Sequence, residues 1–327
     1  MTSKELFDPR PKVKKRLNFL PENPEKESQE GVVGKGRFPS WLHRPLPQGN
    51  QLKMTRESVD SRRLHTVCEE AKCPNLLQCW SQKTATFLVM GKECTRACGF
   101  CDIDTSKAPP PLSDQEPEEV ADAVVELGLR HVVITMVARD DLNDGGAAHL
   151  VKVVEKVREK QPDVTVELLT SDLEGNFKAL DQLLSVEPEI FNHNIETVRR
   201  LTPRVRHKAT YERTLSVLEY AKQHTSDMLV KSGLMVGLGE EETEVKETLR
   251  DLKAVGCGIV TIGQYLQASR LKLRVKEFVH PDQFKVYEEY GKEIGIDYTY
   301  SGPFVRSSFN AGVVFEKANQ KKVIESE

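Results

Sequence analysis

The sequence predicts an α/β fold built on a parallel sheet whose two faces are both covered. Two observations carry this. From Thr84 onward, short and nearly continuous apolar runs recur at 84–91 (TATFLVMG), 131–138 (HVVITMVA), 164–171 (VTVELLTS), 190–196 (IFNHNIE), 229–237 (LVKSGLMVG) and 259–266 (IVTIGQYL). Between them lie amphipathic stretches with helical spacing, and strands covered by helices on both faces read as apolar runs, not as an alternation. Six strand–helix units suit a partial barrel or an open doubly wound sheet, and periodicity does not choose between the two.

In chain order, residues 1–36 are rich in Lys, Glu, Pro and Asn and predict a mobile tail. The basic run Arg10–Arg16 reads as a solvated stretch more readily than as a docking patch or a transit peptide. Glu5 and Asp8 stand beside it, and transit peptides are poor in acids. Residues 37–83 form an N-terminal extension, with Phe38, Trp41 and Leu42 as the first groups worth burying and Pro74 forcing a turn. The strand–helix body spans 84–266. Its helix over 118–127 opens with Pro117 in the first turn and stops at Gly128, the usual asymmetry of helix ends. Leu150, Val153, Val154 and Val157 mark one face of a second helix. A third, over 244–255, follows a Thr243 cap and ends at Gly256. The C-terminal extension, 267–327, holds an irregular stretch, a helical pattern around 281–294, the segment VRSSFNA and a terminal KANQKKVIESE expected to fray.

A chain of 327 residues is long enough for one large core. Its net charge of −3 calls for no nucleic-acid or anionic-membrane partner, and no apolar run approaches the roughly 18 residues of a membrane span. A soluble, cytoplasmic monomer is expected. Six of the seven cysteines fall into two triplets, which suits a reducing compartment; Cys257, in AVGCGIV, reads as a packed core thiol.

The chemistry concentrates in 93–101, ECTRACGFC, where Cys94, Cys98 and Cys101 make a CxxxCxxC pattern directly after the first apolar run. Three thiolates so close on a loop suit three irons of a [4Fe–4S] cluster, with the fourth iron left open. Zinc closes with four ligands, usually from CxxC or His pairs, and no partner pair to complete such a site is near. Three thiols that merely pack are the plain alternative. Upstream, 65–80 reads HTVCEEAKCPNLLQCW, a second triplet at Cys68, Cys73 and Cys79 with different spacing.

The CxxxCxxC triplet resembles the radical S-adenosylmethionine (SAM) superfamily. With the upstream triplet, DDLNDGG, FNHNIETV, KSGLMVGLGE, TIGQYLQ and SGPFVRSS in order beyond position 38, the chain is similar to the lipoyl synthases. That resemblance implies a partial (β/α)6 TIM-type barrel with N- and C-terminal extensions, and SAM and substrate at the C-terminal strand ends. It implies two [4Fe–4S] clusters. One, on Cys94, Cys98 and Cys101, passes an electron to SAM, releasing methionine and a 5′-deoxyadenosyl radical. The other, auxiliary, is held by Cys68, Cys73, Cys79 and an oxygen of Ser308, and gives up sulfur. The implied reaction inserts two sulfurs at carbons 6 and 8 of an octanoyl-lysine on a carrier protein, using two SAM.

SAM contacts are expected from Asn192 and Glu196 in FNHNIE and from Lys231, Ser232, Gly237 and Glu240 in KSGLMVGLGE; substrate contacts from Arg139, Asp140, Asp141 and Arg306. Each has a plain alternative: glycines after strands make turns, and polar strand residues bond across a barrel. No acid–base pair is assigned, because no side-chain base removes protons from unactivated C–H bonds. An electron donor of flavodoxin or ferredoxin type and a cluster-repair protein complete the expected partners. The chain departs from the family pattern at Gln78, Met136, Ala138 and Ala268, which bears on the pocket's polar detail. Another radical SAM enzyme with an auxiliary cluster, or a zinc-stapled binding module, are the competing readings.

Overall fold

The computed structural model describes residues 38–43, 51–62, 64–82, 84–224 and 227–326. The expected tail over 1–36, with its Arg10–Arg16 run, lies outside them. The strands are β1 (His65–Thr66), β2 (Thr86–Val89), β3 (Glu93–Cys94), β4 (Asp104–Thr105), β5 (His131–Met136), β6 (Thr165–Leu169), β7 (Ile190–Asn192), β8 (Leu229–Val236), β9 (Ile259–Gln264) and β10 (Tyr298–Gly302). Eight of them form one sheet in the order β1-β2-β5-β6-β7-β8-β9-β10. From β2 to β10 every neighbour is parallel, and β1 alone runs antiparallel, against β2. Because β1 and β10 are its edges, the sheet stays open among the described residues.

All six expected strands are present. β10 is an addition: Tyr298–Gly302 is mostly half-buried and carries Tyr, Thr and Ser. An edge strand wet on one side offers no apolar run for a sequence reading to find.

Helices connect the strands at Glu116–Leu127, Ala147–Lys160, Phe177–Leu184, Tyr211–His224, Glu242–Ala254 and Pro281–Glu293. The first opens with Glu116, Glu118 and Glu119, which complement the positive N-terminal end, and closes on Gly128 at φ 64°. At Glu242–Ala254 the expected Thr243 cap is replaced. Glu241 is the N-cap, and its N–H donates to the Glu244 carboxylate at 2.8 Å in a reciprocal box. These helices lay Val120, Val124, Val154, Leu183 and Leu249 on the sheet's Phe87, Ile134, Leu168 and Val230, all fully or almost fully buried. Each such side chain contributes about 1.5–3 kcal/mol by leaving water.

Two extensions finish the body. Phe38 packs edge-on against Phe278 with ring centres 5.6 Å apart, and Trp41 lies 5.1 Å from the His280 ring. The terminal stretch expected to fray is helical instead, over Ala311–Ser326. Val314 and Ala318 are buried with Ile190, Leu229 and Ile259, so this helix covers the N-terminal ends of the central strands. The opposite end, at the C-terminal strand ends, is left for the site.

Candidate active site

The CxxxCxxC loop leaves β2 through Met90 and is tied at its base by the ladder of β3 and β4, which pairs Cys94 with Thr105. Its wall side is held by the segment after β5. The Thr95 N–H and hydroxyl both donate to Ala138 O at 3.0 Å, and the Asp140 N–H donates back to Thr95 Oγ1 at 3.0 Å. Arg96, buried between the cysteines, donates to Asp140 at 2.7–3.0 Å and lies 2.6 Å from Asp172 at the end of β6. The loop is thus fixed from two strand ends at once.

Two adjoining cavities open there. The smaller, about 160 Å³, is lined by Cys94, Cys98, Thr170, His193, Glu196 and Arg206. Met136 and Ala138, the departures noted above, face it as well. The larger, about 460 Å³, has Cys101 and Cys73 in its wall together with Arg306 and Ser308. Val67, Pro74, Leu234, Met235 and Leu266 give it apolar surface, and Lys72, Asp102, Thr261 and Gln267 add polar groups. Asn194 and Glu196 border both cavities. The N- and C-terminal extensions meet beside the larger one, where Asn75 Nδ2 donates to Phe304 O at 2.7 Å.

The cysteines of the upstream triplet lie in the N-terminal extension. Cys68 is buried, and the Cys73 N–H donates to its carbonyl at 3.0 Å. Cys79 opens on a neighbouring cavity of about 340 Å³ whose wall includes Asn310–Val313, just past Ser308. Among the described residues no three His, Cys, Asp or Glu side chains gather closely enough to hold a single metal ion. Thiolates on a four-iron cluster bind separate irons and need a wider spread.

Several expected contacts are placed elsewhere. Lys231, near the start of β8, and Asn192, at the end of β7, are fully buried. Lys231 Nζ reaches both Glu167 carboxylate oxygens at 2.9 Å, and Asn192 Nδ2 donates to Glu167 at 2.7 Å. Both are turned to an internal ion pair, not to the cavities. Ser232 donates to His193 O at 2.9 Å and accepts from the Ile195 N–H at 3.1 Å, stitching β8 to the turn after β7. Gly237 sits at φ 102°, and a Cβ there would meet Gln264 Nε2 and Glu277 O. Glu240 folds back to accept from the N–H groups of Gly237 and Leu238, so the pair builds a turn. Asp140 anchors Arg96, and Arg139 donates to Asp141 at 2.8–2.9 Å. Asp140 supports the cluster loop through Arg96, and none of Arg139, Asp140 and Asp141 lines either mouth cavity. Glu196, Arg306 and Ser308 do face a cavity.

The comparisons follow this geometry. Residues 88–252 match the model of the Radical SAM superfamily, and residues 12–73 match that of the N-terminal domain of lipoyl synthase. The lipoyl synthase of Protochlamydia amoebophila is 68% identical over 321 residues, 98% of this chain and 99% of that protein. That of Chlamydia muridarum is 52% identical, over 88% of this chain and 92% of that protein. The chain belongs to the lipoyl synthase family. It is a radical SAM enzyme that works with SAM and [4Fe–4S] clusters. In fold alone it resembles the hydrogenase maturase HydG of Carboxydothermus hydrogenoformans, with a TM-score of 0.53 at 17% identity over 71% of this chain and 56% of that one. Streptococcus suis SuiB aligns with a TM-score of 0.50 at 10% identity, over 66% and 48%.

The residues of this lipoyl synthase fit the groups its family uses. Two buried polar atoms on the cavity walls, Asn194 Oδ1 and Thr170 Oγ1, have no hydrogen-bond partner among the described residues, and such groups ask for one. At Gly233 a Cβ would collide with Thr261 and Asn194, so only glycine keeps that wall open. Burial pushes the Cys98 thiol up to about 11 and Cys101 up to about 12, with neighbouring Cys94 adding to both. Burial, with Cys73 alongside, pushes Cys68 up to about 11. These thiols hold their protons until iron displaces them. Burial also raises the Glu196 carboxyl, against the pull of Arg206. Glu196 adopts φ 67°, a left-handed conformation unusual for glutamate, while its carbonyl accepts from the Met235 N–H at 2.9 Å.

Arg96, His193 and Arg206 escaped the sequence reading, and among the polar residues of FNHNIE it chose Asn192 and Glu196 over Asn194. Arg96 stood inside the cysteine motif and needed only attention to its burial. Asn194 shares the period of Asn192, but β7 ends at Asn192, so the chain turns there and Asn194 takes the cavity position. Arg206 follows the short helix Thr202–Val205 and carries no motif at all. No helix among the described residues is long and apolar enough to cross a membrane.

Proposed function

We propose that this enzyme inserts sulfur at carbons 6 and 8 of an octanoyl chain, held as an amide on a carrier-protein lysine, to give lipoyl-lysine. The observation that carries the reading is the larger cavity: Cys101 of one triplet, Cys73 of the other and Ser308 all line it, together with several apolar side chains. An eight-carbon chain suits such a lining, and its two reacting carbons would pass between the two cysteine sets.

In this reading Cys94, Cys98 and Cys101 hold the SAM-cleaving cluster, and Cys68, Cys73, Cys79 and Ser308 hold the auxiliary cluster that yields sulfur. Asn194 and Glu196, standing between the cavities, meet the polar groups of SAM. Arg306 stands beside Glu196 at the larger cavity and offsets its charge. Arg96 and Asp140 act one step back by holding the cluster loop in place. When bound, the cluster and SAM supply the one-electron chemistry that takes hydrogen from an unactivated C–H bond. Two SAM are consumed, one per carbon. No side chain is assigned as acid or base.

The partners follow from the reaction: an octanoylated lipoyl carrier domain, an electron donor of flavodoxin or ferredoxin type, and a protein that rebuilds the auxiliary cluster. A monomer in the cytoplasm is the setting proposed. Replacing Cys68, Cys73 or Cys79 by Ala tests the division of labour. Such variants should form 5′-deoxyadenosine at near wild-type rates yet deliver no sulfur. Lipoyl product at normal yield from a protein lacking the second cluster would contradict the assignment.

A further inference from the structure

The segment after β9 shows a pattern that the active-site reading leaves unused. Residues 267–276 read QASRLKLRVK, with four cations and no acid, on a chain whose net charge is −3. This segment runs along the site. Gln267 and Ala268 belong to the rim of the larger cavity. Ser269 Oγ donates to Asp102 at 2.7 Å, and the Leu273 N–H donates to Gly99 O at 2.9 Å, which fixes the segment onto the cluster loop. Further on, the Lys276 N–H donates to Gly237 O at 2.8 Å.

The inner residues are thereby held, and the outer ones face water. Leu273 packs against Gly99, and the Tyr265 hydroxyl donates to its carbonyl at 2.6 Å. Arg270, Arg274 and Lys276 are exposed and have no ion-pair partner among the described residues. Between the first two, Leu271 is 94% exposed. A leucine that open, standing among unpaired cations on an anchored segment, is an interaction surface with an apolar anchor and a charged rim.

We infer that residues 270–276 are the docking surface for the carrier domain, and that they recognise acidic residues around its acylated lysine. This rests on the proposed substrate. A lysine arm is short, so an acyl chain inside the larger cavity brings its carrier's own surface against the rim, and this segment is part of that rim. Cations select an acidic partner and speed its approach, an effect that falls with salt.

The test uses reconstituted enzyme with dithionite as reductant and two substrates: an octanoylated carrier domain with acids flanking its lysine, and a short uncharged octanoyl-lysyl peptide. In the Arg270→Glu/Arg274→Glu variant, KM for the domain should rise about tenfold at low salt and approach wild type at about 0.3 M salt, where charges are screened. Peptide turnover and 5′-deoxyadenosine formation should stay at wild-type levels. Leu271→Ser should raise KM for the domain at both salt levels. An unchanged KM for the domain would overturn the inference, as would an equal loss on the peptide. So would a defect seen only when a flavodoxin replaces dithionite, which would assign the surface to the electron donor. If wild type thiolates neither substrate, the proposed function fails instead. Calorimetric binding of the octanoylated domain to wild type and variant then decides the docking surface alone, with equal affinities against it.

Discussion

In the proposed assignment, Ser308 is the residue with the most chemistry resting on one oxygen. Iron in a cluster prefers thiolate sulfur, so an oxygen-held corner is the easiest to release. A cluster meant to be dismantled gains from that weakness. Ser308→Cys should keep or increase iron content while sharply reducing sulfur transfer, with SAM cleavage unaffected. Wild-type sulfur insertion by that variant would remove the argument from lability. His193 offers a pH test. Burial, with Arg206 nearby, lowers its pKa from 6.5 to about 4, and its Nδ1–H donates to Thr170 O at 2.8 Å. The folded protein therefore binds this proton less readily than the unfolded chain. The contribution is complete above pH 6.5 and is lost as pH falls towards 4. It is worth up to about 3 kcal/mol. Urea midpoints of wild type and His193→Gln should converge as pH is lowered through that window. A gap that does not change with pH would show that His193 stays uncharged for no stability reason. At this scale the cysteine motif stood out in the sequence because its spacing is itself a pattern. The polar residues at the cavities did not: Asn192 and Asn194 lie two residues apart, and only Asn194 lines the cavities.

Among the elements, the pairing of β6, β7 and β8 carries the clearest correction. Glu167, Asn192 and Lys231 form a fully buried polar cluster below the cavities, and Lys231, with His131 nearby, holds the Glu167 carboxyl down at about 2 despite its burial. Removing the cation strands a buried charge, so Lys231→Met should destabilise the fold by about 3–5 kcal/mol. A Lys231→Met/Glu167→Gln protein should recover part of that loss. If Lys231→Met instead weakened SAM binding at unchanged stability, the lysine would belong to the cofactor site after all. A charged side chain in an apolar strand announces a need for a partner, and sequence alone does not say whether the partner is ligand or protein. The six central strands were readable because both faces are buried. β10 and the helix Ala311–Ser326 were not, since an edge strand is half wet and the helix gains its place by covering Ile190, Leu229 and Ile259.

Over the whole molecule, the decisive feature is closure from both ends of the chain. The N-terminal extension brings Cys73 and the C-terminal one brings Ser308 to a cavity that the strand–helix body lines with Cys101. Asn75 and Phe304 tie the two extensions together beside it. Neither extension could do this alone, and no periodicity in either one foretells it; only the ordered set of motifs pointed there. The central claim is that this shared cavity carries out paired sulfur insertion. Mass spectrometry of an octanoyl-lysyl peptide incubated with iron- and sulfide-reconstituted enzyme, SAM and dithionite tests it most directly. The expected product contains two added sulfurs and has lost two hydrogens at the reacting carbons, with two 5′-deoxyadenosine formed per lipoyl group. SAM cleavage with no sulfur on the peptide, from an enzyme holding both clusters, would contradict it.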